Sequence, residues 1–111
     1  MFIVSVAKGQ EVIETITREM NERGLDNGAI VSLIGAVESC CVSVMPKGDP
    51  SADILTEYDQ PFEMSGTGEI KNGKVHVHCV MGGADGTVSG HLHWAKVDHW
   101  FVRAYVVPVA D

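Results

Sequence analysis

Residues 74–96 read KVHVHCVMGGADGTVSGHLHWAK, and the alternation within this stretch decides the architecture. Side chains at i and i+2 of a strand share a face. From Lys74 to Met81, His76 and His78 therefore point one way, and Val75, Val77, Cys79 and Met81 point the other. From Thr87 to Lys96, His91 and His93 share a face, with Leu92 and Trp94 opposite. Gly82 to Gly86 forms the turn between them. Two such strands make an antiparallel hairpin with one apolar face and one histidine face. If the turn is centred between Ala84 and Asp85, His78 lies opposite His91, His76 opposite His93, and Val77 against Leu92. A one-residue slip would send the two histidine pairs to opposite faces, and the matched apolar faces argue against it.

The neighbouring segments extend this sheet. Lys71-Asn72-Gly73-Lys74 carries the Asn-Gly signature of a second tight hairpin turn, after a strand from Phe62 to Ile70. Gly66-Thr67-Gly68 within that strand reads as a turn or bulge. Ile54 to Tyr58 is a short strand, Trp100 to Val109 the last one, and Phe2 to Ala7 the first. Gly28 to Val44 is a β-branched apolar run in which Gly35 marks a bulge or a close backbone approach. Val12, Ile13, Ile16 and Met20 recur at helical spacing and predict a helix over Gly9 to Arg23, stopped by Gly24. Glu11, Glu14, Thr15, Arg18 and Glu19 are expected to face water. One early helix with about seven strands predicts an α+β fold with a mainly antiparallel sheet, a single domain over residues 1–111.

Composition narrows the function. The formal net charge is −7, which weighs against a binder that relies on Lys and Arg against duplex phosphates or an anionic membrane surface, so neither direct nucleic-acid nor membrane binding is expected. No apolar run approaches the roughly 18 residues that span a bilayer. The apolar start, Met1 to Ala7, lacks the basic residues and length of a secretory signal. Three cysteines, two of them adjacent (Cys40 and Cys41, with Cys79), do not make a disulfide framework, so a reducing, cytoplasmic setting is expected. Cys40-Cys41 has no basic neighbour to activate a thiol and reads as packing.

The histidine face carries the chemistry. Facing Cβ atoms on one side of an antiparallel pair are about 4.5–5.5 Å apart, so four imidazoles converge on one patch. Neutral imidazole binds Zn²⁺ and similar divalent metals, and three such ligands leave a position open for water or substrate. Cys79 is on the opposite face and is excluded. Glu63 and Glu69, on the preceding strand, are the candidate carboxylates for a general base or a further ligand. His99, beside Trp100, is expected to be a surface or packing residue. The alternative reading is that the histidines are solvated or lie at an interface.

The ordered motifs resemble one family. Gly9-Gln10-Glu11-Val12-Ile13 with Gly24-Leu25 resembles its opening segment, and Ser32-Leu33-Ile34-Gly35-Ala36-Val37 its S-x-x-G-A-V strand. Phe62 to Ile70 resembles its F-E motif, and His76-Val77-His78 and Gly90-His91-Leu92 its H-x-H and G-G-H-L motifs. That family is the plant-and-prokaryote-conserved (PPC) domain. The resemblance implies an antiparallel sheet with one helix, assembled as a homotrimer, and a fold similar to acetolactate decarboxylase, where a His-x-His…His set holds zinc. By matching position it implies His76, His78 and His91 as metal ligands, with His93 outside the motif as a modifier of the site. Ser89 stands where the family usually has glycine, and there is no Arg-Gly-Arg-Pro AT-hook core, so a DNA-binding role does not carry over. Two functions follow as expectations. One is a trimer that presents zinc or another divalent metal to a small molecule. As an enzyme it would be a metal-dependent lyase or hydrolase acting on a small carbonyl compound. The other is a non-enzymatic assembly module, tied to DNA regulation only through partners.

Overall fold

The computed structural model describes residues 1–110. The strands are β1 (Phe2–Val6), β2 (Gly28–Val37), β3 (Ser39–Val44), β4 (Ile54–Tyr58), β5 (Phe62–Lys71), β6 (Lys74–Gly83), β7 (Gly86–Lys96) and β8 (Val102–Pro108). The helix α1 (Val12–Arg23) follows β1. All strands join one antiparallel sheet in the order β1-β8-β2-β5-β6-β7-β3-β4. The expected fold class holds, with eight strands rather than about seven. The run from Gly28 to Val44 breaks at Glu38, because its two halves have different partners. β2 pairs with β5 and β8, and β3 with β7 and β4. Glu38 secures the break by donating its N–H to the Lys96 carbonyl and accepting from the Asp98 and His99 N–H groups.

One face of the sheet is the core. Val77, Cys79 and Met81 of β6 join Leu92 of β7, Ile30 and Leu33 of β2, and Val102, Ala104 and Val106 of β8 under Val12, Ile16 and Met20 of α1. Alternation thus works as expected on β6. Gly35 is a site of close approach: a Cβ there would run into the Phe101 carbonyl. The β2–β5 register does shift here, with Ile30 pairing with Gly68 and Leu33 with Gly66, so the irregularity puts the extra residue on β2, but Gly66 and Gly68 form no turn. They lie within β5, opposite Cys79 and Val77, where β6 comes so close that a Cβ on Gly68 would strike the His76 carbonyl.

The helix is shorter than its periodicity suggests. Residues 9–11 instead run beside β7: the Gly9 N–H donates to the Val97 carbonyl and the Val97 N–H to that of Gln10. Glu11 does not simply face water. As the N-cap of α1, its carboxylate accepts from the Ile13 and Glu14 N–H groups, and it also accepts from the Ala95 N–H of β7 at 2.9 Å. Thr15 is buried as well. At the other end Gly24 takes φ 65°, and the Gly24 and Leu25 N–H groups close the last turn. Among the described residues no helix is long and apolar enough to cross a membrane.

Candidate metal centre

The Ala84-Asp85 turn sets the β6–β7 ladder in the expected register, with Gly83 opposite Gly86 and His78 opposite His91. There the ladder ends. His93 is an extra residue on β7: Cys41 of β3 pairs with Trp94 and Val42 with Leu92, so one step on β3 spans two on β7. Such a bulge bends its strand. Two expectations change as a result. His76 and His93 do not face each other in a ladder, since β7 turns toward β3. Trp94 is not in the buried core, and Ala95 takes the core position instead.

The bend gathers three imidazoles. Ring centroids are 4.8 Å apart for His76 and His78, 4.9 Å for His76 and His91, and 6.0 Å for His78 and His91. One nitrogen from each of the three lies within 4.8 Å of the others. Three nitrogens on one zinc stand roughly 3.3 Å apart, given bonds of about 2.0–2.1 Å, so small side-chain rotations suffice. Three imidazoles suit a borderline-soft divalent ion. Burial holds the His91 imidazole below its ordinary range. His93, His76 and His78 add to the effect and Asp53 opposes it. A neutral imidazole is the ligating form. Gly90 takes φ 152°, and a Cβ there would run into the Ser43 carbonyl, so glycine is what lets β7 seat His91 beside β3.

The other expected residues fall at different distances. Glu69 lies opposite His76, and its Oε2 is 3.9 Å from His76 Nδ1, beyond hydrogen-bond distance. Glu63 lies opposite Gly82, about 13 Å along β5 from the position facing His78. It lines a separate recess with Phe62, Gly83 and Trp100, so the structure does not bring it to the cluster. His93 flanks His91 at 4.6 Å between centroids, and its Nε2 is 2.8 Å from the Oγ of buried Ser43. His99 contacts Trp100, outside the cluster. Cys79 is buried on the core face.

Of the recesses beside the imidazoles, two reach His91. Where β6 and β7 part, a cleft of about 510 Å³ has Ile13, Val75 and Leu92 along its apolar side and His76, His91, His93, Lys71 and Lys74 around it. On the β3–β4 side, one of about 440 Å³ is lined by Val44, Met45, Pro50 and Asp53 with His78 and His91. Sequence reasoning singled out neither Asp53 nor the lysines. Strand alternation does place Lys74 on the face of His76; for Asp53, carried by a loop, the sequence offers no local signal.

The model of the Plants and Prokaryotes Conserved (PCC) domain matches residues 1–109. The chain belongs to this family. Its fold is similar to that of the metal-containing protein AF0104 from Archaeoglobus fulgidus, at 26% identity and a TM-score of 0.82, covering 98% of this chain and 79% of that one. A plant- and prokaryote-conserved (PPC) protein from Pyrococcus horikoshii has the same TM-score of 0.82 at 18% identity, over 99% of this chain and 79% of that one. Alpha-acetolactate decarboxylase from Bacillus subtilis shares the fold more distantly, at 12% identity and a TM-score of 0.61; 96% of this chain covers 52% of that one. No curated protein matches in sequence. As a PCC domain, the chain carries its imidazole cluster on β6 and β7, within the matched residues.

Proposed function

We propose that this PCC domain holds a divalent metal, zinc foremost, at His76, His78 and His91, presents it to a small ligand, and works as a homotrimer. The observation that carries the metal reading is the convergence of three imidazole nitrogens within 4.8 Å. The name of the Archaeoglobus relative, a metal-containing protein, supports it. Bound there, the metal would supply a Lewis acid or an activated water for a carbonyl substrate. The chain's own residues surround the site: the Glu69 carboxylate stands beside His76, and the hydrogen-bonded Ser43–His93 pair flanks His91. The competing reading, an assembly module without metal chemistry, draws on the exposed apolar side chains of Ile54 and Leu55 on β4.

Elemental analysis of untagged, zinc-supplied and dialysed protein separates the two. Wild type is expected to hold about one zinc per chain. His78→Ala should lose most of it, since it removes one of three donors, while His99→Ala should keep it. The sheet should survive in both, because its core face does not involve these rings. Metal-free wild type, or full retention by His78→Ala, would sink the metal reading in favour of the assembly module.

A further inference from the structure

The cleft between β6 and β7 has an unusual lining for so acidic a chain. Of eight basic residues against fifteen acidic ones, two stand together here. Lys71 and Lys74 close the Asn72-Gly73 hairpin as direct cross-strand partners. Like charges facing each other across a ladder repel. Among the described residues the pairs of a lysine or arginine with a carboxylate are Arg23–Glu19 and Lys96–Asp98, so neither Lys71 nor Lys74 has a carboxylate partner. Glu69 also lines the cleft, on the His76 side, with its Oε2 3.9 Å from His76 Nδ1, so the two ammonium groups outnumber the single carboxylate there. Two exposed ammonium groups thus flank one side of a recess whose other wall is the imidazole cluster, over apolar Ile13, Val75 and Leu92. The cleft exists because the β6–β7 ladder stops at His78 and His91, so it is a feature of the backbone rather than of side-chain rotamers.

We infer that this cleft binds a small organic anion, a carboxylate or a phosphate, with its charged group on Lys71 and Lys74 and a second oxygen directed at the imidazole cluster. The inference rests on the proposed metal only for that second contact. The lysine pair supplies affinity and orientation: it selects charged over neutral carbonyl compounds of equal size. Two facing ammonium groups can each donate to one anionic group, and hydrogen bonds between charged groups are the stronger kind.

Calorimetric titration of zinc-loaded protein with pyruvate, inorganic phosphate and the neutral ketone hydroxyacetone tests this. Pyruvate or phosphate should bind, and whichever binds more tightly identifies the anionic group; hydroxyacetone should bind about tenfold more weakly or not at all. The double variant Lys71→Gln/Lys74→Gln should lose about tenfold or more in anion affinity with its zinc content unchanged, and Lys71→Arg/Lys74→Arg should restore binding. Added salt should weaken the anion in wild type. Equal affinity in wild type and the Gln variant, or equal binding of hydroxyacetone and pyruvate, overturns the inference while leaving the metal reading intact. If wild type takes up no zinc, the metal reading fails on its own. The same titration then decides the cleft: lysine-dependent anion binding upholds it, and its absence overturns it.

Discussion

At the scale of single residues, the site depends on groups that a motif alone does not explain. Gly90 is one. Its φ of 152° and the Ser43 carbonyl against its α-carbon leave no room for a side chain. Gly90→Ala should therefore cost on the order of 2 kcal/mol, as a strained backbone does, and should displace His91 and reduce zinc retention. Gly48→Ala, at an open position with ordinary φ, is the matched control and should change neither. Urea midpoints with elemental analysis check both. The thiols are a second case. Burial pushes Cys40 up to about 11, with Cys79 and Cys41 adding to it, and burial likewise pushes Cys79 up to about 11. Their ordinary value is 9.0, so the unfolded chain releases these protons first as the pH rises. The stabilisation from keeping them neutral is intact below pH 9.0 and is lost between there and about 11. The loss is on the order of 1 kcal/mol per pH unit per thiol. Urea midpoints at several alkaline pH values should fall more steeply in wild type than in Cys79→Ala; parallel curves would show that these thiols do not titrate late.

At the scale of elements, what was legible followed from local pattern and what was not came from distant pairing. The alternation in β6 and the Ala84-Asp85 turn suffice to bring His78 opposite His91, and they separate Cys79 from the cluster. The bulge at His93 has no local mark, because it reflects how β7 meets β3, some fifty residues earlier in the chain. That single extra residue accounts for the misplaced Trp94, the lost His76–His93 facing and the cleft. Glu63 and Glu69 look equivalent in a strand, and only the β5–β6 register separates them. Glu11 shows the same limit: helical spacing assigns it to solvent, yet its carboxylate caps α1 and holds Ala95, 84 residues away. Glu11→Ala removes both the cap and the tether. It should lower stability by about 1–2 kcal/mol. Glu11→Gln, which keeps one acceptor oxygen, should fall between, and a midpoint equal to wild type for the Ala variant would mean that the backbone groups find other partners.

At the scale of the whole molecule, one chain leaves much surface uncovered. Its extents of 38 × 36 × 18 Å describe a slab, and its accessible surface is 6440 Å². A compact monomer of this mass exposes about 5,900 Å². Part of the excess is apolar and lies along the β4 edge of the sheet, where Ile54 and Leu55 stand beside Val44 and Met45, each at least 49% exposed. Glu57 is the one charge on this strand; an exposed strand edge that is otherwise apolar invites pairing, and a closed ring of copies is one way to satisfy it. Together with the trimer that the family resemblance implies, this sets the last prediction. Light scattering should give three times the chain mass over a wide concentration range, and Leu55→Lys should shift that mass toward a single chain. Salt supplies the discriminating test. Each copy carries a net charge of −7, so assembly through apolar contact works against mutual repulsion. Added salt screens that repulsion and should strengthen the trimer. A seam built on ion pairs would respond in the opposite sense. A mass that stays at one chain at every concentration and salt level would end the trimer proposal, and a trimer that dissociates as salt rises would move the seam away from the β4 edge.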